Sequence, residues 1–208
     1  MAREESEDAA HDFDHLERVM AIVDTISAQE GGDLPIIWAA VAFHDIGQER
    51  ERRYGGDHAF IGADLAAELL SNTSFPQASI PAVQQAIREH RMTGGVVPQT
   101  LEGCILYDAD KIDGLGAIGI GRLYMITGRY NQKVYTPVSD DIVEPVDPLL
   151  VRQLRRRLDY SPSIEFQLLF GNLPERMMTR TGREIARERF AFMQEFFTRL
   201  RKEAEGKL

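Results

Sequence analysis

The chain has 208 residues, 43% of them apolar, and a formal net charge of −9. That length suits one domain with at most an extension, and the composition is globular, not disordered. The acidic balance excludes a general affinity for long nucleic acid, no apolar run reaches the roughly 18 residues of a bilayer span, and the polar start MAREESEDAAHDFDH lacks the regions of a signal peptide. A cytoplasmic protein without membrane contact is expected, and the single cysteine, Cys104, fits a reducing compartment as a small buried hydrophobe.

The pattern is helical almost throughout. Leu16, Val19, Val23 and Ile26 follow three- and four-residue spacing, and Gly31-Gly32 ends that helix. Asp33 reads as the N-cap of a second helix with Pro35 just inside it. That helix, LPIIWAAVAFHDIG, is apolar on nearly every side and belongs at the centre of the core. Further helices are expected over DHAFIGADLAAELLSN, from Ser79 to His90, and over TLEGCILYDADKID. The charged run QERERRYGGDH reads as a solvated loop, or as a lid lending Arg52 or Arg53 to a phosphate. QKVYTPVSDDIVEPVD, rich in Pro and Asp and without alternation, predicts a long loop. From Gly182 a helix follows, with Ile185, Phe192, Phe196 and Leu200 on its apolar face. The fold class is all-α.

Three of the five histidines (His11, His15, His44, His58 and His90) stand where solvated side chains are not expected. His15 heads an apolar stripe with Val19. His44 closes the most apolar helix, with Asp45 directly after it. His90 continues the stripe Ile80, Val83, Ile87. A further group of charge, DADKID, holds Asp108, Asp110, Lys111 and Asp113 beside the apolar run GLGAIGIG. Imidazoles on apolar faces next to carboxylates are what a metal site requires. The run GLGAIGIGR lacks the Gly-Lys-Ser/Thr ending of a phosphate-binding loop, and that reading is rejected.

The order His15-x-x-Arg18, His44-Asp45-Ile46-Gly47, Asp110-Lys111 resembles the HD-domain metal-dependent phosphohydrolase superfamily, with its H…HD…D signature on a helical bundle. The resemblance runs from about His11 to Arg129, and TLEGCILYDADKIDGLGAIGIGR is especially similar to a bacterial and archaeal branch of small HD hydrolases. It implies an HD-domain helical bundle over residues 1–132, with residues 133–208 as a loop and helical extension packed on that core. It implies that His15, His44, Asp45 and Asp110 hold a divalent metal, and the mixed donors suit Mn, Fe, Ni or Zn better than Mg. His58 and His90 complete the order H…HD…H…H…D. They either build a second metal position bridged by Asp45 or serve substrate and protons; the small-hydrolase branch favours one metal.

The activity the resemblance implies is attack of metal-activated water on a small phosphorylated metabolite, a nucleotide foremost. Asp45 or Asp108 would orient the water, and Arg18, Lys111 and Arg122 would neutralise phosphoryl oxygens, with Asp113 a further substrate-side candidate. Two alternatives stand beside it: a dinuclear-iron enzyme of the dinucleoside polyphosphate hydrolase or oxygenase type, and a non-catalytic nucleotide-binding module. The position four after His44 is Gln48, so an acidic residue used there by some HD nucleotidases is missing. The amphipathic segment beyond Val134 suits covering the core, lining the substrate entrance or forming a homodimer contact.

Overall fold

The computed structural model describes residues 13–92, 96–138, 154–155, 157 and 159–207, and among them there is no strand. The chain divides into two compact units. One holds the residues up to Lys111 together with Met177–Gly182, and the other holds Ile112–Arg176 and Arg183 onward.

The first unit begins with α1 (Phe13–Glu30), α2 (Leu34–Phe43) and α3 (Gln48–Tyr54), followed by α4 (His58–Ser71), α5 (Ile80–Glu89) and the greater part of α6 (Leu101–Asp113). Asp33 caps α2 as its position suggests: its Oδ1 accepts the Ile36 amide at 3.3 Å. Ile37, Ala40 and Val41 of α2 are fully buried, against α1 and α5. Val19, Val23 and Ile26 of α1 and Val83, Ala86 and Ile87 of α5 are equally dry. Each large aliphatic among them contributes about 1.5–3 kcal/mol of burial. The periodic positions therefore became the core.

Two segments differ from expectation. The run LPIIWAAVAFHDIG is not one helix: α2 stops at Phe43, His44 is its C-cap, and residues 44–47 form a turn. Gly47 causes this. A Cβ there would lie 2.2 Å from the His58 carbonyl oxygen and 2.8 Å from the Gly62 amide, so the turn and α4 touch backbone to backbone. The charged run after it folds into α3, and Arg52 and Arg53 spend their charges on Glu49 within that helix. Helical i,i+3 and i,i+4 spacing favours those pairs over a lid.

Residues 177–182 complete the first unit by an electrostatic clasp. Asp108 is fully buried on α6, and its carboxylate accepts the Met178 amide at 2.7 Å, the Thr179 amide at 2.7 Å and the Thr179 hydroxyl at 2.6 Å. Thr179 in turn accepts the Gly182 amide at 2.9 Å, the N-cap pattern of the last helix. Glu30 takes the Thr181 amide and hydroxyl, each at 2.7 Å.

The second unit contains α7 (Gly116–Arg129), short turns of helix at Pro162–Glu165, Phe166–Phe170 and Leu173–Arg176, and most of α8 (Arg180–Ala204). α7 has no counterpart in the sequence reading, because its glycines hid the helical pattern. The buried face of α8 is Ala186, Met193 and Phe197, whereas Phe192, expected on that face, is 45% exposed. Phe166 stacks on Phe197 with centroids 4.6 Å apart. Buried Glu165 holds Arg155 and the Tyr160 hydroxyl, and burial pushes the Tyr160 phenol up. Of the expected loop 132–147, residues 132–138 have no regular structure, and 139–147 lie outside the described residues.

Candidate metal centre

Two helix ends present imidazoles in the same way. His44 caps the C-terminus of α2 and His90 caps that of α5. The His44 Nδ1–H donates to the Val41 carbonyl at 2.8 Å and the His90 Nδ1–H to the Ile87 carbonyl at 2.6 Å, each three residues back. A carbonyl can only accept, so in the neutral rings the proton sits on Nδ1 and the Nε2 lone pair faces inward. The C-terminal ends of α2 and α5 also carry partial negative charge, which favours a cation beside them.

His15 of α1 and His58, the first residue of α4, join from the other helices. All four rings are buried. His15 Nε2 lies 3.4 Å from His44 Nε2, and His58 Nε2 lies 3.3 Å from His90 Nε2. Asp45 stands between the pairs: its Oδ2 is 3.4 Å from His44 Nε2, and its Oδ1 is 3.7 Å from His58 Nε2 and 3.8 Å from His90 Nε2. Asp110 Oδ1 approaches His15 at 3.6 Å and His44 at 4.0 Å, while its Oδ2 pairs with Lys111. Two groups able to hold a cation result, His15–His44–Asp110 and Asp45–His58–His90.

The electrostatics fit that use. Burial drives the His90 pKa down to about 3, reinforced by the Lys111 ammonium, so this ring is neutral at pH 7. Burial also lowers His58, against the opposing pull of Asp45 and Glu51. The His58 Nδ1–H is committed to Glu51 Oε2 at 3.1 Å, so its Nε2 is a lone pair as well. Two lone pairs then face one another at 3.3 Å, an arrangement that a shared cation relieves. Burial works against ionisation of Asp110, but the Lys111 ammonium paired with its Oδ2 outweighs that and holds the carboxyl well below the usual range. A neutral His90 imidazole beside an ionised Asp110 carboxylate fits the donor set of a first-row divalent metal.

The structure brings together every proposed ligand: His15, His44, Asp45, Asp110, His58 and His90. Lys111 is also present, its ammonium 5.4 Å from the Tyr107 ring centre. Arg18 is half-buried one turn after His15 on α1. Asp108 is not available for the water-orienting role, since its carboxylate clasps residues 178 and 179. Asp113 and Arg122 belong to the second unit, where they pair with each other at 2.6 Å. His11 lies outside the described residues. Cys104 is half-buried and burial raises its thiol pKa, as expected of a packing residue.

Sequence reasoning missed Glu51, Asp57 and Arg91. Asp57 caps α4 by accepting the Ala59 amide at 2.9 Å, and Arg91 reaches Asp57 at 2.7 Å and Glu51 at 3.6 Å. The available signal was Asp57-His58, an N-cap residue directly before a histidine. Glu51 was hidden inside a charge run.

A buried His/Asp cluster able to hold a cation, carried on a set of packed helices, is the class of site that this fold defines. The sequence matches the HD domain family over residues 12–115, half of the chain, and the chain belongs to that family. YpgQ of Bacillus subtilis (strain 168) is 25% identical over 213 residues, covering 96% of this chain and 87% of its own. The structure of YpgQ in complex with ADP superposes with a TM-score of 0.71, covering 98% of this chain and 94% of that one. A predicted HD superfamily hydrolase from an uncultured Thermotogales bacterium is 29% identical, with a TM-score of 0.65 over 96% and 85% of the two chains. An HD-superfamily hydrolase from Bacillus thuringiensis is 26% identical, with a TM-score of 0.69 over 94% and 87%. No helix among the described residues is long and apolar enough to cross a membrane.

Proposed function

We propose that this protein is a metal-dependent phosphohydrolase that cleaves a phosphoester or phosphoanhydride bond of a small nucleotide. The observation that carries the reading is the buried approach of His15 and His44, Nε2 to Nε2 at 3.4 Å, with Asp110 3.6 Å from His15 and Asp45 3.4 Å from His44. His15, His44, Asp45 and Asp110 would hold the metal. When bound there, a divalent ion supplies Lewis acidity toward a phosphoryl oxygen and acidifies a water. Asp45 would orient that water and take its proton. Lys111 and Arg18 bring positive charge to the phosphoryl oxygens. Asp113 and Arg122 are left out of this assignment, because each is the other's partner. A nucleotide is favoured over other phosphorylated metabolites because YpgQ, similar along almost the whole chain, was crystallised with ADP.

A second metal position is favoured by the way Asp45 divides its oxygens, Oδ2 toward His44 and Oδ1 toward His58 and His90. Such a carboxylate can serve two ions at once.

Elemental analysis of chelator-free protein beside Asp45→Ala, followed by a nucleotide panel with Mn²⁺, tests both points. Bound metal that the substitution removes, with phosphate or pyrophosphate released from a nucleotide, is the expected result. Two ions per chain would support the second position. Nucleotide binding without turnover in Mn²⁺, Fe²⁺, Ni²⁺, Zn²⁺ or Mg²⁺ would replace the enzyme by a binding module. No metal uptake at all would overturn the reading.

A further inference from the structure

Three acidic and imidazole groups, Glu51, Asp57 and His58, converge at the mouth of α4, and their atoms lie close enough together to hold an ion. That place already has a cation, because the Arg91 guanidinium stands 2.7 Å from Asp57 and 3.6 Å from Glu51. Glu51 is therefore not free to act as a ligand. Its carboxylate faces Arg91 on one side and His58 on the other, accepting the His58 Nδ1–H at 3.1 Å on Oε2 and the His58 amide at 3.4 Å on Oε1.

We infer that Glu51 is a positioning residue for the second metal position: by holding the His58 Nδ1–H, with Arg91 holding it in turn, it sets the His58 Nε2 lone pair toward Asp45 and His90. The inference rests on the two-metal reading above. His44 and His90 gain the same orientation from backbone carbonyls at their own helix ends. His58 begins its helix, so no preceding turn of that helix lies behind it, and its Nδ1–H goes to the Glu51 side chain instead. A carboxylate there fixes the tautomer and raises the basicity of the ring. α3 exists to deliver it: the seven-residue helix between Gly47 and Gly55 places Glu51 against the start of α4. Without that anchor the His58 ring can rotate or move its proton to Nε2, and either change removes one donor from the second position while His15, His44 and Asp110 keep theirs.

The test is Mn²⁺ titration of the metal-stripped full-length chain, followed calorimetrically and by the EPR signal of free Mn²⁺. Wild type, Glu51→Ala, Glu51→Gln and His58→Ala are compared, with His58→Ala identifying which binding step belongs to the second position. The expected result is two ions for wild type, and for Glu51→Ala an unchanged first step with the second weakened on the order of 10- to 100-fold. Glu51→Gln, which keeps an acceptor oxygen, should fall between. If Glu51→Ala does not fold, Arg91→Met, which leaves Glu51 unanchored, should weaken the second step alone. Two unchanged steps in Glu51→Ala would overturn the inference and leave the two-metal reading standing, as would equal weakening of both steps. A single ion in wild type would overturn both together.

Discussion

His44 and His90 meet edge to face, with ring centroids 5.1 Å apart and planes at 81°, and each is tethered through Nδ1 to the carbonyl three residues before it. Each histidine thus closes a helix and points a lone pair into the centre. The two duties are separable. His44→Ala and His90→Ala should each lower the stability of metal-stripped protein by about 0.5–1.5 kcal/mol, the worth of one hydrogen bond, besides losing a metal donor. Denaturant melts with and without chelator would show this, and the metal-dependent part of the loss should vanish in the stripped protein.

Metal itself should stabilise the fold. At a free concentration 100 times its dissociation constant a single ion adds about 2.7 kcal/mol, provided it binds only the folded chain. Mn²⁺ should therefore raise the melting temperature of wild type and leave Asp45→Ala nearly unmoved. An equal rise in both would locate the binding elsewhere.

Gly47 is required by contact and not by backbone angle, for its φ is −78°. A methyl group there would press on the His58 carbonyl at 2.2 Å, between the turn that carries Asp45 and the helix that carries His58. Gly47→Ala should cost about 1–3 kcal/mol and loosen metal binding together with it. A variant with wild-type melting and metal affinity would show that the two backbones separate freely.

Asp108 and Asp110 lie two residues apart and do different work. Asp108→Asn replaces an acceptor of three hydrogen bonds with a group that places N–H donors against the donors of Thr179, so a loss of about 1–3 kcal/mol is expected with metal stoichiometry unchanged. Asp110→Asn should do the reverse, sparing stability in stripped protein and reducing metal affinity. Titrations of the two variants side by side check the division.

Glu30 provides a pH signature. The hydroxyl and then the amide of Thr181 hold its pKa below the ordinary 4.5. The folded value is lower than the unfolded one, so the stabilisation is complete above about pH 4.5 and is lost as the pH falls through the folded value. The melting-temperature difference between wild type and Glu30→Ala, measured without metal, should be constant from pH 7 to 5 and shrink below 4.5. A difference that persists unchanged to pH 3 would remove the carboxylate from the account.

Much of this molecule was legible along the chain. The stripe Ile80, Val83, Ile87, His90 carried its own geometry, because helical periodicity fixes which side chains share a face. The candidate ligands His15, His44, Asp45 and Asp110 followed from a family resemblance, and the structure brings them within a few ångströms of one another. Glu51 was not legible, since a carboxylate among Glu49, Arg50, Arg52 and Arg53 has the same local pattern whether it faces water or an imidazole. Asp108 was misjudged for a similar reason: its partners at 178 and 179 are seventy residues away, and nothing local marks them.

The sequence by itself determined an all-α chain, its main buried faces and a cluster of imidazoles and carboxylates suited to a metal, because these depend on spacing of a few residues. Only the tertiary structure decided how those groups are aimed. Which histidine nitrogen carries the proton, which oxygen of Asp45 meets which imidazole, and which acid is spent on a guanidinium or on backbone amides are set by contacts between helices distant in the chain. Hydrogen bonds depend on position to a fraction of an ångström, and that precision arises only when the helices pack.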